Sequence, residues 1–204
     1  NSVAYSPDGK FIVTAGHDKT ARIWDVATGR EVVALRGHAD GVTSAEYSGD
    51  GKRIITASDD KTARIWDAST GIMTAELRGH TSPILSATFS PNNKLAVTTS
   101  GDLSNPTGDD TARVWDASTG KLLAELKGHT DAVHSARFSP DSRFIVTASE
   151  DKTARVWDVS TALNTGVTTA LTSGADAGRL LAEVRGHAES LRFAMFSPEG
   201  KRIV

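Results

Sequence analysis

Three sets of histidine, threonine, aspartate and tryptophan recur along this 204-residue chain at spacings that could support chemistry. His38 is followed 18 residues later by Thr56, then by Asp60 and Trp66. His80 is followed by Thr98, Asp109 and Trp115, and His129 by Thr147, Asp151 and Trp157. Thr14, Asp18 and Trp24 form a fourth set with no histidine before it. An imidazole between a hydroxyl and a carboxylate could be a nucleophilic triad, in which the acid orients the base and the base takes the hydroxyl proton. A catalytic centre, however, occurs once in a chain, whereas this set is repeated. The alternative is structural: buried polar groups that satisfy one another, each avoiding roughly 1–3 kcal/mol of unpaired burial. Repetition favours the structural reading, so no catalytic residue is assigned.

Other chemistry is sparse. Arg22, Arg64, Arg113 and Arg155 each stand two residues before a tryptophan, on the same strand face as that ring. A repeated anion site is conceivable there; the expectation is a packed stem with its charged head at solvent. The chain has no cysteine, so disulfides, thiolate metal sites and cysteine nucleophiles are excluded. His17 and His134 are the only two histidines outside the repeat set, too few ligands for a metal centre. No glycine-rich loop ends in the Lys-Ser/Thr of a phosphate cradle. Neither cofactor nor metal is therefore expected. The 23 Lys+Arg against 25 Asp+Glu give a net charge of -2 without blocks of one sign. Nucleic acid and anionic membranes are not expected partners. No apolar run approaches the ~18 residues of a membrane span.

The elements that must position these residues follow from a repeat. Trp-Asp begins at Trp24, Trp66, Trp115 and Trp157, at intervals of 42, 49 and 42. Gly-His begins at Gly37, Gly79, Gly128 and Gly186, and the step from Trp to the next His is 14 residues three times, then 30. Within one unit, Val42 to Tyr47, Arg53 to Ala57, Ala63 to Trp66 and Met73 to Leu77 read as short strands. Asp59-Asp60-Lys61 and Ser69-Thr70-Gly71 read as turns between them. No stretch carries a long helical period.

A unit of ~42 residues with Gly-His near one end, a turn such as Ser6-Pro7-Asp8-Gly9, and Trp-Asp near the other resembles the WD-repeat propellers. The resemblance covers nearly the whole chain. It implies an all-β β-propeller of four-stranded antiparallel blades, strand a innermost and strand d outermost, with about four and a half blades present. Blade 1 is expected over 1–36, blade 2 over 37–78, blade 3 over 79–127, blade 4 over 128–185, and the start of a fifth over 186–204. A chain starting at Asn1 and ending at Val204 within strands reads as a piece of a longer polypeptide that supplies the remaining blades. In the family the repeated sets form a Trp–Thr–His–Asp hydrogen-bond chain.

Departures from the repeat carry more information about function. Seven extra residues fall between Ser100 and Asp109, and sixteen more around 162–178, a partner-docking loop or a tolerated insertion. The resemblance places partner contacts five residues after each Gly-His histidine and just before each repeat aspartate. Carried over singly, these positions are Thr43, Leu85, His134 and Arg192, and His17, Asp59, Gly108 and Glu150. Leu103 and Pro106 of the first insertion would rise on the same face. The expected function is a non-catalytic scaffold for protein or peptide partners; the alternative is a sensor propeller of a larger signalling ATPase or kinase. A cytoplasmic location is expected.

Overall fold

The computed structural model describes residues 2–102, 108–164 and 178–204. Among these residues sixteen strands fall into four antiparallel sheets, each built from four consecutive strands. The first holds β1 (Ser2–Tyr5), β2 (Phe11–Ala15), β3 (Thr20–Asp25) and β4 (Glu31–Arg36). The second holds β5 (Val42–Tyr47), β6 (Arg53–Ser58), β7 (Thr62–Asp67) and β8 (Met73–Arg78). The third holds β9 (Ile84–Phe89), β10 (Leu95–Ser100), β11 (Ala112–Asp116) and β12 (Leu122–Leu126). The fourth holds β13 (Val133–Phe138), β14 (Phe144–Ser149), β15 (Ala154–Asp158) and β16 (Arg179–Val184). These are four propeller blades.

Side-chain chemistry closes the turns. At the a–b turn of blade 1, Ser6 Oγ donates to Asp8 Oδ1 at 2.7 Å and accepts the Phe11 N–H at 2.9 Å. The same bonds recur around Ser48 and Asp50, Ser90 and Asn92, and Ser139 and Asp141. At the c–d turns, Asp67 Oδ1 and Asp116 Oδ1 each accept two hydroxyls and two backbone N–H groups. Such local bonds stop each strand after four to six residues and return the chain.

Neighbouring blades touch through strand a. The Ala45 N–H donates to Ser2 Oγ at 2.9 Å, and the Ala87 N–H to Ser44 Oγ at 3.2 Å. Apolar cores fill the seams. Val13, Ile23, Leu35, Tyr47 and Trp66 pack between blades 1 and 2. Ile55, Ile65, Leu77, Phe89 and Trp115 pack between blades 2 and 3, and Leu95, Val97, Leu126, Phe138 and Trp157 between blades 3 and 4.

After Gly186 the half-blade expected over 186–204 is only outlined. Among the described residues it contains no strand, only an isolated Phe196–Ile203 bridge flanked by reciprocal Met195–Val204 hydrogen bonds of 3.0 Å. Ala194, Phe196 and Ile203 nevertheless pack on Val146 and Ala148 of blade 4. The second insertion begins as a 3-10 turn, Ser160–Asn164, and its centre lies outside the described residues.

Candidate functional site

The Gly-His loops and the b–c turns open on one face, and the repeated sets lie just beneath it. In blade 2, His38 Nδ1 is 2.8 Å from Asp60 Oδ2, and its Nε2 is 2.8 Å from Thr56 Oγ1. The Trp66 indole N–H donates to the same hydroxyl at 2.9 Å. Blade 3 joins His80, Asp109, Thr98 and Trp115 at 2.8, 2.7 and 2.8 Å, although the first insertion intervenes. Blade 4 joins His129, Asp151, Thr147 and Trp157 at 2.8, 2.7 and 3.0 Å. The assignment that satisfies every atom has a neutral imidazole donating from Nδ1 to the carboxylate and accepting the threonine O–H at Nε2. The threonine oxygen then accepts the indole N–H.

This arrangement cannot serve as a triad. The imidazoles of His38, His80 and His129 are at most 1% exposed, and both ring nitrogens are occupied. The hydroxyl's second partner is an indole buried under the blade, so there is no cleft for a substrate. Burial pushes all three imidazoles below the usual histidine range, against the pull of the neighbouring aspartates. Burial alone would raise Asp60, but the Thr62 hydroxyl, the Ala39 N–H and His38 outweigh it and hold that carboxyl at about 2. Asp151 is likewise held at about 2, where Thr153, His129 and the Thr130 N–H outweigh burial. Asp109 also lies below the ordinary carboxylate range, its burial outweighed by His80 and Thr111.

Three of the four arginines depart from the sequence expectation: the heads of Arg64, Arg113 and Arg155 are not at solvent. Arg64 Nη2 lies 2.9 Å from Glu76 Oε1, and Arg113 Nη2 lies 2.8 Å from Glu125 Oε1. Arg155 Nη2 reaches Glu183 at 3.4 Å, and all three side chains are nearly buried. The physical reason is the strand pairing. Arg64 faces Glu76 across β7–β8, Arg113 faces Glu125 across β11–β12, and Arg155 faces Glu183 across β15–β16. A desolvated guanidinium keeps a carboxylate when one stands opposite. Blade 1 has Ala34 at that place, and Arg22 pairs instead with Asp18 and Glu31. The heads also account for the glycines before His38, His80 and His129. Gly79 sits at φ 153°, and a methyl group there would overlap Arg113 Nη1. The repeated glutamate three residues before Gly79, Gly128 and Gly186 was the available signal for these pairs.

Among the positions carried over for partner contact, three gather at one point. His134 Nε2 lies 2.5 Å from Glu150 Oε2, and Arg192 Nη2 approaches the same oxygen at 3.9 Å. His134 first, with Arg192 adding its charge, lowers the Glu150 carboxyl below its usual range. His17 and Asp59 both flank Gly41. Burial, then repulsion from Asp40, raises the Asp59 carboxyl. Thr43 is half-buried and its hydroxyl donates to the Ile84 carbonyl at 2.7 Å, so it is committed to the next blade. Leu85 and Gly108 are half-buried, Arg192 is exposed, and Leu103 and Pro106 lie outside the described residues. Among the described residues no group of three or more His, Cys, Asp or Glu side chains could hold a metal, and no helix is long and apolar enough to cross a membrane.

Residues 1–25, 29–67, 71–116 and 120–158 match the family described as WD domain, G-beta repeat. The chain belongs to the WD-repeat family. It is similar to several individual WD-repeat proteins over about one repeat each. It is 42% identical over 45 residues, 22% of this chain and 6% of the relative, to the general transcriptional corepressor TUP1 of Saccharomyces cerevisiae. It is 50% identical over 44 residues, 21% of this chain and 3% of the relative, to WD repeat-containing protein 62 of Mus musculus. It is 50% identical over 38 residues, 19% of this chain and 8% of the relative, to the Notchless protein homolog of Arabidopsis thaliana. The matched stretch thus spans less than a tenth of each of these proteins. WD-repeat proteins serve in general as platforms for protein interaction, and the repeated sets here form the interior of the blades.

Proposed function

We propose that this WD-repeat segment is a non-catalytic scaffold that binds protein or peptide partners on the face where the Gly-His loops open. One observation carries the reading. Beneath that face the hydrogen-bonded sets repeat with nearly the same distances in blades 2, 3 and 4. At the rim, equivalent positions carry Thr43, Leu85, His134 and Arg192. A constant support under a varied surface suits recognition, where chemistry must differ from place to place. The rim of Asp59, Leu85, His134, Glu150 and Arg192 mixes acid, base and apolar character across several blades. A polyanion would require a basic stripe instead.

The test is site-specific photo-crosslinking in the intact protein. A crosslinking side chain at Leu85 is expected to give discrete adducts with a partner protein, and one at Lys121, an exposed residue on the opposite face, to give none from that partner. Adducts from Lys121 but not from Leu85 would contradict the assignment of the face.

A further inference from the structure

The face opposite the Gly-His loops carries a feature that differs from seam to seam. Its ingredients are the residue opening strand b, the aromatic ring closing strand a of the next blade, and the residue after that blade's Trp-Asp. In the seam between blades 2 and 3 these are Arg53, Phe89 and Ala117. The Arg53 guanidinium stacks 5.0 Å from the Phe89 ring centre and donates to the Ala117 carbonyl at 2.8 Å and to the Asn93 carbonyl. Arg53 therefore plugs that seam. Between blades 3 and 4 the residues are Leu95, Phe138 and Val159. There the 3-10 turn adds Ala162, which packs with them and is only 4% exposed.

Between blades 1 and 2 neither plug exists. Phe11 stands where Arg53 stands, Ala68 where Val159 stands, and the tight Asp67 turn brings nothing like Ala162. The result is a pocket of about 440 Å³ floored by Phe11, Ile23, Tyr47 and Ala68. Val32 forms part of its wall and is 51% exposed. Leu123, the equivalent residue in blade 3, is packed against the filled seam. The lining also holds two carboxylates, Asp8 and Asp50, and no basic side chain. Serine hydroxyls and backbone N–H groups hold both acids ionised. Lys10 lies 3.8 Å from Asp8 but is 74% exposed and neutralises little in water, and the charges of Arg53 and Lys52 act on Asp50 from outside the lining.

We propose that this seam pocket is a second docking site, on the face away from the Gly-His loops, for a peptide that inserts a bulky aliphatic side chain flanked by basic residues. The two sister seams define the occupant. One is filled by a cation lying on an aromatic ring, the other by apolar side chains carried on a turn. The open seam retains the aromatic and apolar floor and adds acids at its edge. An inserted leucine would cover Phe11, Val32 and Ala68, and basic neighbours would face Asp8 and Asp50. The site neither uses nor depends on the rim residues above.

The probe is the tripeptide acetyl-Lys-Leu-Lys-amide, titrated into the intact protein with methyl groups of Ile23, Val32 and Ala68 followed by NMR. Saturable shifts at these three methyls are expected. Replacing the peptide leucine by alanine should weaken binding at least about tenfold, because most of the buried methyl and methylene surface is lost. Replacing both lysines by glutamate should weaken it roughly fivefold. Phe11→Arg, which supplies the plug found in the next seam, should abolish the shifts. If that variant loses its dispersed spectrum, Ala68→Val, which copies Val159, is read instead and should weaken binding. Asp8→Asn with Asp50→Asn should keep the leucine preference and remove the lysine preference. Absence of saturable shifts, equal response to leucine and alanine peptides, equal response to lysine and glutamate flanks, or shifts that persist in folded Phe11→Arg would each overturn the proposal. A response at the Leu85 methyls reports the opposite face, so the two readings fail separately.

Discussion

Rim residues Asp59 and Glu150 are immediate chain neighbours of Asp60 and Asp151 in the buried His–Thr–Asp–Trp sets, yet rim and sets obey opposite rules. In the sets, residue types and distances hardly vary among blades 2, 3 and 4, and seven added residues before Asp109 do not disturb them. At the rim, equivalent positions hold a hydroxyl, an aliphatic chain, an imidazole and a guanidinium. Burial makes the difference. A buried donor or acceptor has few alternatives to its partner, while an exposed one exchanges freely with water. Constancy therefore marks support, and variation marks what the support presents.

The largest expected effect lies in the most buried set. Asp109→Ala removes the acceptor of the His80 Nδ1–H, the Thr81 N–H and the Thr111 hydroxyl. It should lower stability by about 3 kcal/mol, read from denaturant midpoints of the intact protein. Asp59→Ala, at the rim, strands no buried imidazole, and burial and Asp40 already raise its carboxyl. A cost there equal to that of Asp109→Ala would break the comparison. Gly79→Ala should cost about 2 kcal/mol, because it combines a left-handed backbone with displacement of Arg113.

Acid should act through the same sets. Asp60 and Asp151 are held at about 2, below the unfolded value of 3.8. Their contribution is complete above that unfolded value and is lost as pH falls toward about 2. The imidazoles, depressed below 6.5 by burial, act in the same direction, starting as pH drops below that value. Asp60→Asn should flatten the fall of stability between pH 4 and pH 2. An unchanged slope would place the acid sensitivity elsewhere.

The repeat, the strands and the membership of each polar set could be read from the sequence because type and spacing recur together. Val42–Tyr47 and Arg53–Ser58 begin where the sequence places them, and the second extends one residue beyond it. The arginine heads could not be read from spacing alone. The partner of Arg64 is 12 residues away, that of Arg155 is 28 away, and that of Arg22 sits at a different register. The open seam was hidden for another reason. Phe11, Arg53 and Leu95 each open a strand, and nothing in their order reveals that Arg53 folds inward over Phe89 while Phe11 leaves a space. Leu191 to Val204 carry strand-like residues, and among the described residues a Phe196–Ile203 bridge outlines the start of the fifth blade.

The central claim, a constant interior supporting a binding rim, is tested most directly by the double variant Leu85→Ala with Arg192→Ala. Capture of the partner crosslinked at Leu85 and the thermal melting curve should be measured on the same preparations of intact protein. Leu85 is half-buried and Arg192 is exposed, and neither belongs to a repeated set, so stability should change by less than about 0.5 kcal/mol. The account predicts that capture falls steeply while the melting temperature stays where it was. Capture retained at the wild-type level, or lost only in step with unfolding, would contradict it.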